Sequence, residues 1–110
     1  MALPTPPFAR VGASLLLTAA LLAACGGKSD ADMLSSAKQL LEQKDTQAAL
    51  IQLKNVLQKQ PDSGEARLLL GKTLLELGDP IAALVELRKA QELQVKDEEV
   101  VPPIARAMLL

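Results

Sequence analysis

A single thiol stands among the 110 residues, at Cys25, and Leu22, Ala23 and Ala24 lead directly into it. Upstream lies an apolar run from Val11 to Leu22, with Arg10 just before it. A lone cysteine has no disulfide partner within its own chain. The chemistry open to this sulfur is therefore acylation or alkylation rather than pairing. The apolar run is too short to cross a ~30 Å hydrocarbon core as a helix. With a positive flank before it and small residues after it, it fits a cleaved export signal. Elsewhere the reactive inventory is thin. The chain has no His, Trp or Tyr, and its one aromatic residue, Phe8, precedes the cysteine. Without His, the commonest general base and metal ligand is missing. Without aromatic platforms, stacking on bases or sugar rings is not expected. No enzyme activity, cofactor or metal is expected.

The string Leu22-Ala23-Ala24-Cys25 resembles a bacterial lipobox. The resemblance implies cleavage between Ala24 and Cys25 and a diacylglycerol on the Cys25 sulfur. Residues 1–24 would be the signal peptide, and residues 25–30 the lipidated cysteine with a small, polar, flexible tether. Gly26, rather than Asp, follows the cysteine. In lipoproteins of diderm bacteria that choice favours the outer membrane, here facing the periplasm. One acyl chain binds a bilayer only marginally, whereas two or three on one residue hold durably. Removing residues 1–24 takes away only Arg10 among the charges and leaves 86 residues, with 11 basic against 13 acidic side chains. That is one small domain, and its near-neutral charge argues against a nucleic-acid surface.

The elements that carry the remaining residues read as helices. After residue 30 the chain is rich in Ala, Leu, Gln, Glu and Lys, all good helix formers, and no stretch alternates with the period of two of a half-buried strand. Met33, Leu34, Ala37, Leu40 and Leu41 mark one face of a helix from Ala31 to about Glu42. Asp45 is the expected N-cap of a second helix, Thr46 to Lys59, which Pro61 ends. Asp62 with Glu65 has the spacing of a capping box for a third helix, running to about Leu77, with Gly78 just past its end. Asp79-Pro80 reads as N-cap and N1 of a fourth, extending to about Leu93. Asp97, Glu98 and Glu99 place acid near the start of a fifth segment, whose beginning Pro102 and Pro103 are expected to delay.

The segments repeat. Ala37, Gly71 and Ala105 are spaced by 34 residues, as are Leu40, Leu74 and Met108. Ala49 and Ala83, Leu53 and Leu87, Val56 and Ala90, and Asp45 and Asp79 keep the same offset. A helix–turn–helix unit recurring every 34 residues resembles the tetratricopeptide repeat. The expected fold is all-α, with repeat one over 31–63, repeat two over 64–97, and the first helix of an incomplete third repeat over 98–110. The family resemblance implies a short right-handed α-solenoid. A lipobox followed by Ala49-Leu50-Ile51-Gln52-Leu53-Lys54-Asn55-Val56-Leu57 and Glu65-Ala66-Arg67-Leu68-Leu69-Leu70-Gly71-Lys72 is similar to the repeat lipoproteins of the PEP-CTERM/exosortase system. That resemblance implies an envelope scaffold linked to exopolysaccharide production and protein sorting.

In the family, the first helix of each repeat lines a concave groove. Carried onto this sequence, the groove residues are Ala31, Leu34, Lys38, Leu41 and Glu42, then Glu65, Leu68, Lys72, Leu75 and Glu76, with Arg106 continuing the row. Lys38, Lys72 and Arg106 would form a cationic line beside Leu34, Leu41, Leu68 and Leu75, suited to an extended acidic or carboxylate-bearing partner. The competing expectation is a solvated face held by Lys38–Glu42 and Lys72–Glu76 pairs. Ile104, Met108, Leu109 and Leu110 are apolar at the end of the chain, and repeat arrays need polar caps. Continuation into further repeats or self-association through that end is expected. The function expected is a lipid-anchored scaffold for protein partners; the alternative is a small pilotin-like escort of an envelope secretion complex.

Overall fold

A computed structural model describes residues 27–110, so the signal segment and Cys25 lie outside the described residues. Five α-helices follow one another: α1 (Asp30–Glu42), α2 (Thr46–Lys59), α3 (Gly64–Glu76), α4 (Pro80–Glu92) and α5 (Asp97–Leu109). There is no strand among the described residues. Each helix packs against its neighbours in sequence, and α3 also touches α5. Loops of three or four residues turn the chain back each time, which forces antiparallel neighbours.

The helix starts are written in side chains. Ser29 and Asp32 form a reciprocal capping box at α1, while Asp45 and Asp79 accept from the backbone N–H groups of Ala48 and Ala82. At α3 the cap is Ser63, which accepts from the Ala66 N–H, and not Asp62 as the spacing predicts. Pro61 and Asp62 sit at the middle of a turn closed by the Ser63 N–H donating to the Gln60 carbonyl at 3.2 Å. That turn uses Asp62 and leaves Ser63 extended at the helix mouth, one repeat after Ser29.

α5 departs from expectation too. It begins at Asp97 and runs through Pro102 and Pro103 without delay. Each proline removes one donor to a carbonyl four residues back, here those of Glu98 and Glu99. Both residues are exposed, so water takes the place of the missing donors.

Three helix ends close the same way. Asp45 N–H reaches the Leu40 carbonyl at 2.9 Å, Asp79 N–H the Leu74 carbonyl at 2.9 Å, and Val95 N–H the Ala90 carbonyl at 3.1 Å. Each is a Schellman closure, with Lys44, Gly78 and Gln94 at positive φ.

The core forms two clusters along the array. Ala37, Leu53, Val56 and Leu57 meet Ala66 and Leu70 between the first and second repeats. Leu68, Leu75, Leu87 and Ala90 meet Val100, Ile104 and Ala107 between the second repeat and α5. Leu74 packs against both clusters, which joins them. Small residues set the helix spacing: Ala37, Ala49 and Ala83 are fully buried. A Cβ added at Gly71 would lie 2.5 Å from Leu87 Cγ and 3.3 Å from the Ala83 carbonyl oxygen. Thr73, buried at an otherwise apolar site, is satisfied by donating to the Leu69 carbonyl at 2.7 Å.

Candidate functional site: the α1–α3–α5 groove

α1, α3 and α5 stand one repeat apart and present equivalent residues. Lys38, Lys72 and Arg106 are all exposed. Their partners differ from the expected ones. Lys38 forms an ion pair with Glu65 of the next repeat rather than with Glu42. Lys72 does not pair with Glu76, and neither Lys72 nor Arg106 is in an ion pair among the described residues. Both walls of the Lys38–Glu65 contact are about half exposed, which limits its worth to a few tenths of a kcal/mol.

Lys72 and Arg106 line one cleft of about 300 Å³ with Leu75, Glu76, Pro102 and Pro103. Lys72 also borders an adjoining cleft of about 380 Å³, whose walls include Glu65, Leu68, Val95, Lys96 and Glu99. The ammonium of Lys72 thus stands between two concavities. Pro102 and Pro103 contribute a rigid apolar wall, since their rings fix φ and carry no N–H donor.

The four leucines expected beside the cationic row divide into two kinds. Leu68 and Leu75 are 6 % and 4 % exposed and belong to the core that holds α5. They floor the clefts instead of offering free contact surface. Leu34 and Leu41 are half-buried, and Leu34 packs on the first cluster. Without a repeat before α1, nothing among the described residues covers them further. Lys96, Glu99, Pro102 and Pro103 escaped the sequence reading. Glu99 was within its reach, because it lies 34 residues after Glu65; Lys96, on the α4–α5 turn, was not.

A second charged cluster lies between α3 and α4. Arg67 Nη1 donates to Glu86 Oε2 at 2.6 Å, and its Nε and Nη2 donate to the Pro61 carbonyl at 3.2 and 3.0 Å. Both side chains are about 15 % exposed. With its donors occupied, Arg67 fastens the α2–α3 turn to α4 and is not a ligand site.

The 34-residue pitch, the paired antiparallel helices and the small-residue contacts converge with a family comparison. A family model described as a tetratricopeptide repeat matches residues 40–101, more than half of the chain. The chain belongs to the tetratricopeptide repeat family. Neither the curated proteins nor the solved structures contain a match to it. Repeats of this family are protein-interaction modules and typically non-catalytic, and they generally bind protein or peptide partners. In this repeat protein the groove of α1, α3 and α5 is the surface built for such contact.

Proposed function

We propose that this repeat protein is a lipid-anchored scaffold that captures an extended, carboxylate-bearing protein segment in its α1–α3–α5 groove. The observation that carries the reading is the pair of unneutralised cations, Lys72 and Arg106, on the walls of one cleft with an apolar floor and a proline wall. A segment lying along the groove would set carboxylates against these two charges and apolar groups against Leu75 and the prolines. Charge-assisted contacts of this kind are the stronger hydrogen bonds.

The anchor rests on the resemblance of residues 22–25 to a lipobox, with Cys25 as the acylated residue, residues 26–30 as the tether, and residues 31–63, 64–97 and 98–110 as the repeat units. Gly26 supports the outer membrane, periplasm-facing, as the destination. The likeness to PEP-CTERM/exosortase lipoproteins supports a role beside exopolysaccharide production or surface-protein sorting.

The groove is tested with an acidic decapeptide titrated onto the full chain by fluorescence anisotropy. Lys72→Glu should weaken binding by about tenfold at low salt, from the loss of one attractive contact and the gain of a repulsive one. Because Lys72 is exposed, the helical circular dichroism should not change. Equal binding by the variant would remove the groove reading.

A further inference from the structure

The two ends of the array are built differently. On the face that meets the preceding repeat, α3 carries Ala66, Leu70 and Thr73, and α5 carries Val100, Ile104 and Ala107. All six are buried. The equivalent residues of α1 are Asp32, Ser36 and Gln39, polar and at least partly exposed. That end is closed by its chemistry, since stacking another apolar layer on it would strip water from polar groups without returning hydrogen bonds.

The opposite end is open. Beyond the row that α3 and α4 bury, α5 has a second apolar row, Val101, Ala105 and Met108. Val101 is 46 % and Met108 65 % exposed, and Ala105 is exposed as well. At the position of Ala105 the two earlier units bury Ala37 and Gly71 against a following helix. That helix presents the same row each time: Ala49, Leu53 and Val56 on α2, and Ala83, Leu87 and Ala90 on α4, all fully buried. α5 therefore repeats the receiving half of an interface the molecule already makes twice.

We propose that the Val101–Ala105–Met108 face of α5 is a docking surface for a partner's amphipathic helix bearing a small residue, a leucine four later and a small or β-branched residue three after that. This is the helix-in-groove mode of recognition, with anchors at i, i+4 and i+7. The occupant is a helix of that pattern and not a second copy of this chain. A head-to-tail copy would present the polar Asp32–Ser36–Gln39 face, and the α2 and α4 rows of any copy are already buried within it. Ala105 sets the specificity, because only a small side chain there admits the close helix approach seen at Ala37 and Gly71. The surface lies apart from the Lys72–Arg106 cleft, so its failure leaves the groove reading standing.

The test is a labelled peptide with the sequence of residues 79–95, which carries the α4 row, titrated onto the full chain. Saturable binding with a gain in peptide helicity is expected. Ala105→Arg should weaken it at least about tenfold while leaving the protein's own thermal unfolding unchanged, because Ala105 is exposed. A peptide with Leu87→Glu should fail to bind. The proposal is overturned by absence of saturable binding, or by equal binding to the Ala105→Arg protein. It is overturned equally if the chain alone sediments as a dimer that Ala105→Arg dissolves, which would assign the face to a second copy.

Discussion

Lys44, Gly78 and Gln94 hold the same left-handed backbone at three helix ends, yet only one of them is glycine. A side chain in that conformation costs about 1–2 kcal/mol, partly offset by glycine's larger loss of freedom on folding. Lys44→Gly should therefore raise stability by about 0.5–1 kcal/mol, seen as an increase of several degrees in Tm. Lys44 is exposed and makes no ion pair among the described residues, so nothing else should be lost. Gly71 poses the opposite problem. Gly71→Val would push a branched side chain into Leu87 and the Ala83 backbone and should cost about 3 kcal/mol through overpacking, measured by urea unfolding. The sequence already contained both positions, since Gly71 lines up with Ala37 and Gly78 with Lys44. What it could not contain was distance: only packed coordinates show that Gly71 has Leu87 against it while the space around Gly78 is open.

Among the elements, α1 relies most on its own terminus, because no repeat precedes it among the described residues. Its capping box binds Asp32 to the Ser29 hydroxyl at 2.6 Å and to the Ser29 backbone N–H at 3.2 Å. The Ser29 side-chain and backbone hydrogen bonds together hold the Asp32 carboxyl below its ordinary range. A carboxylate with a depressed folded pKa contributes above its unfolded value, about 4, and that contribution disappears as pH falls through the folded value. Hydrogen exchange of the α1 amides should consequently accelerate on acidification below about pH 4. Ser29→Ala should show that faster exchange already at neutral pH and lose the acid step. Helix existence was legible from the spacing of Ala37, Leu53 and Leu87. Two boundaries were not: the turn at Pro61–Asp62 moved the α3 cap to Ser63, and packing of Val100, Ile104 and Ala107 carried α5 through its prolines. In both, tertiary contact outweighed a local rule.

At the scale of the whole molecule, the 34-residue period carried the architecture, because a recurring unit constrains every copy at once. The groove was only half legible. The period placed Lys38, Lys72 and Arg106 on equivalent faces, but whether a lysine is neutralised depends on the neighbouring repeat, which no single-repeat pattern contains. The proposed anchorage belongs to this scale as well. Cells grown with labelled palmitate should yield labelled protein that partitions with membranes, and Cys25→Ser should abolish both label and partitioning; unlabelled wild-type protein would refute the anchor.

The Lys38–Glu65 bridge ties the first groove helix to the second, while its counterpart one repeat on, Lys72 and Glu99, faces across a cleft without closing. The array thus has one stiff joint and one compliant joint. A ligand that occupies Lys72 keeps the compliant joint ajar, so the curvature of the solenoid becomes a readout of what it carries.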